Sequence, residues 1–384
     1  MSNNNQHIPP GYKPSPLGII PEDWEVKRLR DVCTFHNGRA YSQKELLSSG
    51  KYRVLRVGNF FTNGSWYWSD MELEDDKYAN NGDLLYAWSA SFGPKFWEGE
   101  KVIYHYHIWK IDSFNEVSKD FLYSFLLYDA TKLTNTLQGG TMTHITKENM
   151  EKRNIAVPPI HEQQRIVSVL SLWDTAIAKQ TALIEQLTLR KRGLMQQLLT
   201  GKKRLKGFEG NSFKMMSFDK IANTINVKAF QISKSDYQEK GKTPIVDQGQ
   251  MFIAAYSDSD KIFTNVPFIL FGDHTRIIKW IDFPCIIGAD GVQAIKPKEE
   301  IDIKYLYYLL SNTELPNLGY SRHMSILKEK VFYVSTDIDE QKAIAECLSN
   351  TDKEIEIQKQ KLAALQEQKK GLMQVLLTGK KRIK

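Results

Sequence analysis

Gly193-Leu194-Met195-Gln196-Gln197-Leu198-Leu199-Thr200-Gly201-Lys202-Lys203-Arg204 returns as Gly371-Leu372-Met373-Gln374-Val375-Leu376-Leu377-Thr378-Gly379-Lys380-Lys381-Arg382, with Gln197 against Val375 the only change. The same offset holds upstream. Glu162-Gln163 aligns with Glu340-Gln341, Ile166 with Ile344, Leu170 with Leu348, Asp174 with Asp352 and Ile177 with Ile355. The chain therefore carries two copies of one unit, and two copies can be related by a pseudo-twofold axis.

Apolar residues in each copy follow a heptad. Leu170, Ile177, Ile184 and Leu198 form one series, broken by Lys191; Ile166, Trp173, Leu187 and Leu194 form the other, broken by Gln180. Leu348, Ile355, Leu362 and Leu376, with Lys369, and Ile344, Leu365 and Leu372, with Thr351 and Gln358, repeat the pattern. These are the a and d positions of a coiled-coil seam. No proline interrupts it, and each run ends at a Thr-Gly suited to a left-handed C-cap. The matched Gln breaks are either a polar register-setting pair or plain imperfections of the seam. Each helix, of roughly 38 residues, spans about 57 Å. With some 130 residues of different character between them, antiparallel packing is the economical topology.

The expected organisation is α+β: two strand-rich mixed domains joined by two long antiparallel coiled-coil helices with pseudo-twofold symmetry. The boundaries expected are a first domain at 1–158, a first helix at 159–205, a second domain at 206–336 and a second helix at 337–384. Strands are expected at Tyr52–Val57, Asp83–Trp88, Lys101–Ile111, Pro267–Phe271 and Pro284–Ile295, from their β-branched and aromatic content. Gly288-Ala289-Asp290-Gly291 suggests a hairpin turn. Helices are expected at Lys119–Leu133 and Ile303–Ser311. Trp24–Leu29 faintly matches Phe213–Phe218.

The 384 residues carry a net charge of +7, 41% hydrophobic and 25% charged residues, as an ordinary soluble protein does. No stretch approaches the ~18 apolar residues of a membrane span. The first residues lack the basic start and apolar stretch of a secretion signal. Cys33, Cys285 and Cys347 are odd in number and far apart, so neither disulfides nor a thiolate metal site is indicated. A cytoplasmic protein without membrane association is expected. Residues 1–160 carry 18 Lys or Arg and 19 Asp or Glu, 161–210 carry 9 and 4, 211–338 carry 15 and 15, and 339–384 carry 10 and 7. The positive excess belongs to the repeats. Any nucleic-acid surface on the domains must come from polarising a neutral unit.

Catalytic motifs are absent: no phosphate-binding Gly-rich loop, no His-Glu-x-x-His and no Gly-x-Ser-x-Gly. His105-Tyr106-His107 places two imidazoles on one face of an expected strand, which begins a metal site or merely packs. Asp273-His274 suits a loop that reads a ligand better than an acid–base pair.

A duplicated Glu-Gln-x-x-Ile helix ending in Met-Gln-x-Leu-Leu-Thr-Gly-Lys, alternating with two variable strand-rich domains, resembles the specificity (S) subunit of type I restriction–modification systems across essentially the whole chain. The resemblance implies a non-catalytic subunit that reads a bipartite double-stranded DNA target. It implies two copies of a DNA methyltransferase (modification) subunit docked on the helices, and restriction endonuclease/translocase subunits beyond them. No cofactor is expected in this chain; S-adenosylmethionine, ATP and Mg²⁺ are expected on the partner subunits. Heads in successive major grooves lie about 34 Å apart, so the helices would act as a ruler across an unread gap.

Two loops shortly before each helix, Gln138–His144 and Gly319–Ser325, combine glycine, hydroxyls and histidine, which suits approach to phosphates and base edges. The candidate DNA contacts are Gly140, Thr141, Thr143 and His144 in the first domain, and Asp273, His274, Arg276, Ser321, Arg322 and His323 in the second. Asn63–Trp68 and Trp88–Ser91 mix aromatics with polar groups, either as a nucleic-acid surface or as core packing, and Asp273–Arg276 is the corresponding cluster of the second domain. Lys202-Lys203-Arg204 and Lys380-Lys381-Arg382 either touch phosphates or complement helix C-termini.

Overall fold

A computed structural model describes residues 8–61, 64–89, 91–136, 145–289, 291–317, 319 and 321–383. The chain forms two compact units. One comprises the residues up to Lys179 together with those from Lys361 onward, and the other comprises Gln180–Gln360. Both boundaries fall inside the long helices. No helix among the described residues is long and apolar enough to cross a membrane.

The first unit runs β1 (Tyr12–Ser15), β2 (Gly18–Pro21), β3 (Glu25–Arg28), α1 (Leu29–Val32), β4 (Thr34–Asn37), β5 (Tyr52–Leu55), α2 (Val57–Phe61), β6 (Tyr67–Ser69), β7 (Tyr78–Ala79), β8 (Leu84–Ser89), β9 (Ser91–Phe96), β10 (Val102–Tyr104), β11 (Ile108–Asp112), α3 (Lys119–Thr136), α4 (Lys147–Glu151), β12 (Asn154–Val157) and the start of α5 (Ile160–Leu198). One sheet has the order β4-β11-β8-β9 and is antiparallel throughout; the other has the order β6-β5-β10-β7, with β10 parallel to β5. Strand β8 shows why the sheets stack. Successive side chains point to opposite faces, so Leu84 and Tyr86 join the core beneath α3 and α5, while Leu85 and Ala87 join the core facing the second sheet. A strand covered on both sides reads as a continuous apolar run.

The second unit repeats this plan with β13 (Phe213–Ser217), α6 (Phe218–Ile221), β14 (Ala222–Ile225), β15 (Gln231–Ile232), β16 (Thr243–Val246), β17 (Ala255–Ser257), β18 (Phe268–Gly272), β19 (Ile278–Ile281), β20 (Ile286–Gly288), β21 (Val292–Pro297), α7 (Ile303–Ser311), α8 (Met324–Glu329), β22 (Val331–Ser335) and the start of α9 (Ile338–Leu376). Its sheets are β14-β21-β18-β19 and β15-β20-β16-β17. Ile269 and Phe271 face the helices; Phe268 and Leu270 face the other sheet. The match between Trp24–Leu29 and Phe213–Phe218 is structural too. β3 pairs with β12, and β13 with β22, each partner being the strand just before a long helix.

Two sequence expectations need correction. The strand expected over Lys101–Ile111 is two strands, β10 and β11, separated by a turn at His105–His107. The expected hairpin around Gly288–Gly291 is also no hairpin, because β20 and β21 belong to different sheets. Both connections carry the chain from one sheet to the other. Local turn chemistry does not distinguish such a crossing from a hairpin.

The repeats close each unit in the same way. In the first unit, Arg382 donates from Nε (3.1 Å) and Nη2 (2.5 Å) to the buried carboxylate of Glu162, which also accepts from the Trp24 indole at 3.0 Å. In the second, Arg204 Nε and Nη2 donate to the two oxygens of buried Glu340, each at 2.7 Å, and Ser335 Oγ adds a bond at 2.5 Å. Each Arg is brought into place by a left-handed glycine, Gly201 at φ +68° and Gly379 at φ +70°. The next turn then folds back, Lys203 N–H to the Gln197 carbonyl and Lys381 N–H to that of Val375. Thus Arg204 and Arg382 serve neither of the uses open from sequence. They clasp the start of the other repeat.

The neighbouring glutamines act alike. Gln163 accepts from Ser118 N–H and donates to the Glu116 and Pro158 carbonyls; Gln341 accepts from Asp302 N–H and donates to those of Glu300 and Ser335. Each fixes the loop that begins its domain's helix, α3 or α7.

Within each unit the halves of α5 and α9 run antiparallel. In the first, Glu162 meets Arg382 and Asp174 meets Lys369. In the second, Gln180 meets Gln358, Lys191 meets Asp352 and Arg204 meets Glu340. The breaks at Gln180, Gln358, Lys191 and Lys369 are therefore polar links, whereas Thr351 bonds back to the Cys347 carbonyl of its own helix. Buried Gln180 donates to Gln358 Oε1 at 2.8 Å and to its carbonyl at 3.1 Å.

Removing one partner of a buried, bidentate ion pair leaves an uncompensated charge, at a cost of about 3–5 kcal/mol. Arg204→Ala is expected to destabilise the second unit, and Arg382→Ala the first, by about that amount, because each leaves a buried glutamate unmet. Arg204→Lys, which cannot form the fork, should cost less. Urea unfolding checks this; losses below ~1 kcal/mol, typical of exposed pairs, would contradict the assignment.

Candidate nucleic-acid interface

Strand register aligns the two domains residue by residue. Leu85 lies between Lys110 and Lys95, and Leu270 between Ala294 and Lys279. The alignment extends to bonds outside the sheets. Lys95 Nζ donates to the Phe60 carbonyl at 3.2 Å, and Lys279 Nζ to that of Met251 at 2.5 Å. Trp88 N–H donates to the His107 carbonyl at 3.1 Å, and Asp273 N–H to that of Gly291 at 2.6 Å. Three connections therefore converge at one end of each domain. These are the segment after β5 or β16, the β8–β9 or β18–β19 turn, and the sheet-to-sheet crossing after β10 or β20.

In the second unit this end gathers sequence-distant candidates. Asp273 and His274 occupy the β18–β19 turn, the loop placement the sequence favours. Asp273 is 3% exposed and His323 fully buried. The Asp273 carbonyl accepts from His323 N–H and lies 2.9 Å from its Nδ1, and its carboxylate accepts from Met324 N–H at 2.7 Å. These two side chains are spent on joining His323 and Met324 to the turn, and Ser321 and Arg322 just before them are exposed. His274 N–H donates to Gln248 Oε1 at 3.1 Å, and Thr275 Oγ1 to the Gln248 carbonyl at 2.7 Å. Gly291, at φ +67°, suits this place: a Cβ would come within 2.6 Å of the Gln248 and His274 side chains and force them to shift. Arg276 turns away from this cluster. Half-buried, it donates to the Leu315 carbonyl at 3.1 Å.

Gly140, Thr141, Thr143 and His144 lie outside the described residues. The equivalent end of the first unit instead shows a pocket of about 460 Å³ lined by Arg56, Asn59, Trp66, Tyr67, His105 and His107 among others. Arg56 lies 5.1 Å from the Tyr67 ring; Arg53 lies 5.5 and 5.1 Å from Trp66 and Trp68. Among the described residues neither arginine is paired with a carboxylate, whereas Arg39, Arg153 and Arg382 are. The pocket of a near-neutral domain is thus lined by a guanidinium, Arg56, that no carboxylate neutralises among the described residues. Burial, with His107 and Arg56 nearby, pushes the His105 imidazole down to about 4. Among the described residues no third His, Cys, Asp or Glu joins His105 and His107 in a group able to hold a metal ion. Sequence reading noted the aromatic runs Asn63–Trp68 and Trp88–Ser91. It missed Arg56 and read His105 only as a possible metal ligand or a packed side chain; the sheet crossing brings both beside the aromatics.

A family model described as the type I restriction modification DNA specificity domain matches residues 21–189 and again 212–367. The chain belongs to this family. Its two matches coincide with the two copies of the sheet-and-helix plan. The chain is 28% identical over 410 residues to the type I restriction enzyme MjaVIII specificity subunit of Methanocaldococcus jannaschii, covering 95% of this chain and 94% of that one. The putative MjaX specificity subunit of the same organism is 27% identical, with 97% of each covered. The fold is that of a solved type I restriction–modification S subunit from M. genitalium, with a TM-score of 0.56 at 15% identity over 98% of both chains. A chain from a structure of an assembled type I system gives 0.57 at 16% identity, covering 94% and 99%. As a type I specificity subunit, this protein contributes DNA sequence recognition rather than catalysis.

His105 supplies a test of the pocket's burial. Its folded value lies below the ordinary 6.5, so the unfolded chain binds the proton first. Stability of the first unit is expected to fall as pH drops from about 6.5 towards 4, and His105→Asn should flatten that slope. Melting temperature against pH measures both.

Proposed function

We propose that this specificity subunit reads a split DNA target, each domain contacting one half, and directs adenine methylation and restriction by partner subunits. One observation carries the reading. The two domains share a sheet frame down to the Lys95 and Lys279 tethers, yet present different side chains at the same end. Arg56, Trp88 and His105 stand where the other domain has Asp247, Asp273 and Gly288. A shared frame with divergent tips suits two different half-sites.

The repeats supply the symmetric part. Gln196, Lys202 and Lys203 are exposed, as are Gln374, Lys380 and Lys381, so each unit offers the same surface to one of two identical modification subunits. Those partners would hold S-adenosylmethionine, and restriction subunits would hold ATP and Mg²⁺; no reaction step requires a group from this chain. Ser321, Arg322, His274 and, in the first domain, Gly140, Thr141, Thr143 and His144 are the contacts proposed on the DNA side, with Asp273, Arg276 and His323 as supports.

Mapping methylated adenines in cells carrying the chain and its partners should reveal one motif of two specific halves around a fixed unread gap. Inserting one heptad at matched places in α5 and α9 should preserve both halves and lengthen the gap. A continuous motif, or an unchanged gap, would refute the split reading. Arg322→Ala should weaken binding by the assembled complex, with a loss that depends on salt if a phosphate is involved.

A further inference from the structure

We infer that the pocket of the first unit seats the major-groove edge of a G·C base pair, Arg56 donating to the guanine and His105 accepting from the cytosine amine. The inference rests on the reading of the chain as a DNA-recognition subunit, and adds which base pair one half of the target must contain.

Two of the pocket's polar side chains, Arg56 and His105, match the G·C edge in kind. Guanine offers N7 and O6 as acceptors, and cytosine offers its N4 amine as a donor. Arg56 presents a planar fork of N–H donors, and stacking on Tyr67 limits its motion. Among the described residues no carboxylate lines the pocket to occupy that fork. His105 stacks on Tyr41, with ring centroids 6.3 Å apart, and is bracketed by His107 and Arg56. Held uncharged near neutral pH by its burial, its ring keeps one lone-pair nitrogen. A phosphate offers acceptors only and would leave the lone pair of a neutral imidazole unused, whereas a cytosine amine can fill it. An A·T pair fits less well, because the adenine N6 amine would face the guanidinium donor to donor. The pocket's volume, about 460 Å³, far exceeds the ~30 Å³ of a water and admits the edge of a base pair.

The second unit lacks this device. The position of Arg56 is taken there by Asp247, whose carboxylate accepts from Gly249 N–H at 2.8 Å and lies 3.9 Å from Lys279. The G·C requirement therefore belongs to one half-site.

The test uses the chain assembled with its modification subunits and duplexes carrying the mapped target. Each guanine in turn is replaced by 7-deazaguanine, which removes N7 and leaves base pairing intact. With wild type, one guanine should be sensitive, binding falling about tenfold, within the range of a bidentate contact. Arg56→Ala should bind both duplexes equally and tolerate A·T at that position. Arg56→Gln should shift the preference there from G·C to A·T, since glutamine pairs with adenine N6 and N7; this gain cannot arise from misfolding. The inference is overturned if Arg56→Ala keeps every guanine's sensitivity, or if it weakens all duplexes alike and lowers the salt slope, the mark of a phosphate contact. A wild-type complex that discriminates among no duplexes would instead overturn the recognition reading itself.

Discussion

The bidentate bond between the arginine ending one repeat and the glutamate opening the other organises everything else. A carboxylate with no exposed surface is tolerable only when its charge is met and its lone pairs are filled. Glu340 achieves this with Arg204 and Ser335, and Glu162 with Arg382 and Trp24. Because each partner lies on the other repeat, the clasp can form only when the two helices run antiparallel in one register. The heptad alone would tolerate a slip by a whole repeat. The Gln180–Gln358 bond resists the same slip, since an unmet buried amide costs about 1–3 kcal/mol.

On that foundation the two domains show what is fixed and what is free to vary. Strands covered on both faces, β8 and β18, must stay apolar throughout. Their ends carry no such constraint. The turns there are held by backbone bonds, Trp88 to His107 and Asp273 to Gly291, which any residue can make. Side chains at those turns are therefore free to diverge while the frame persists. The lysine tethers extend this logic by fixing the segment after β5 or β16 through its carbonyl rather than its side chains.

Electrostatics separates along the same line. Paired charges hold the frame together, as in Arg39 with Glu45, Arg153 with Asp129 and the two clasps. Among the described residues Arg53 and Arg56 have no carboxylate partner, and both lie over aromatic rings in the first unit. A domain of nearly zero net charge needs no basic bulk to present such a guanidinium; it needs only to place its acids elsewhere.

The repeat, the seam, the glycine caps and the antiparallel course were all legible in the chain, because helical periodicity and duplication are local or counted features. The apolar runs of β8 and β18 were legible for the same reason. Sequence could also place Asp273-His274 in a loop. It could not foresee that Asp273 and His323 bury each other's polar groups 50 residues apart, nor that Arg204 and Arg382 turn inward to distant glutamates. The pocket around Arg56 and His105 was equally hidden, because a crossing between two sheets has the turn chemistry of a hairpin. The chain by itself determined which elements form and that they come in pairs. Only the tertiary structure decided which side chains remain at the surface, because burial and ion pairing depend on residues far away along the chain.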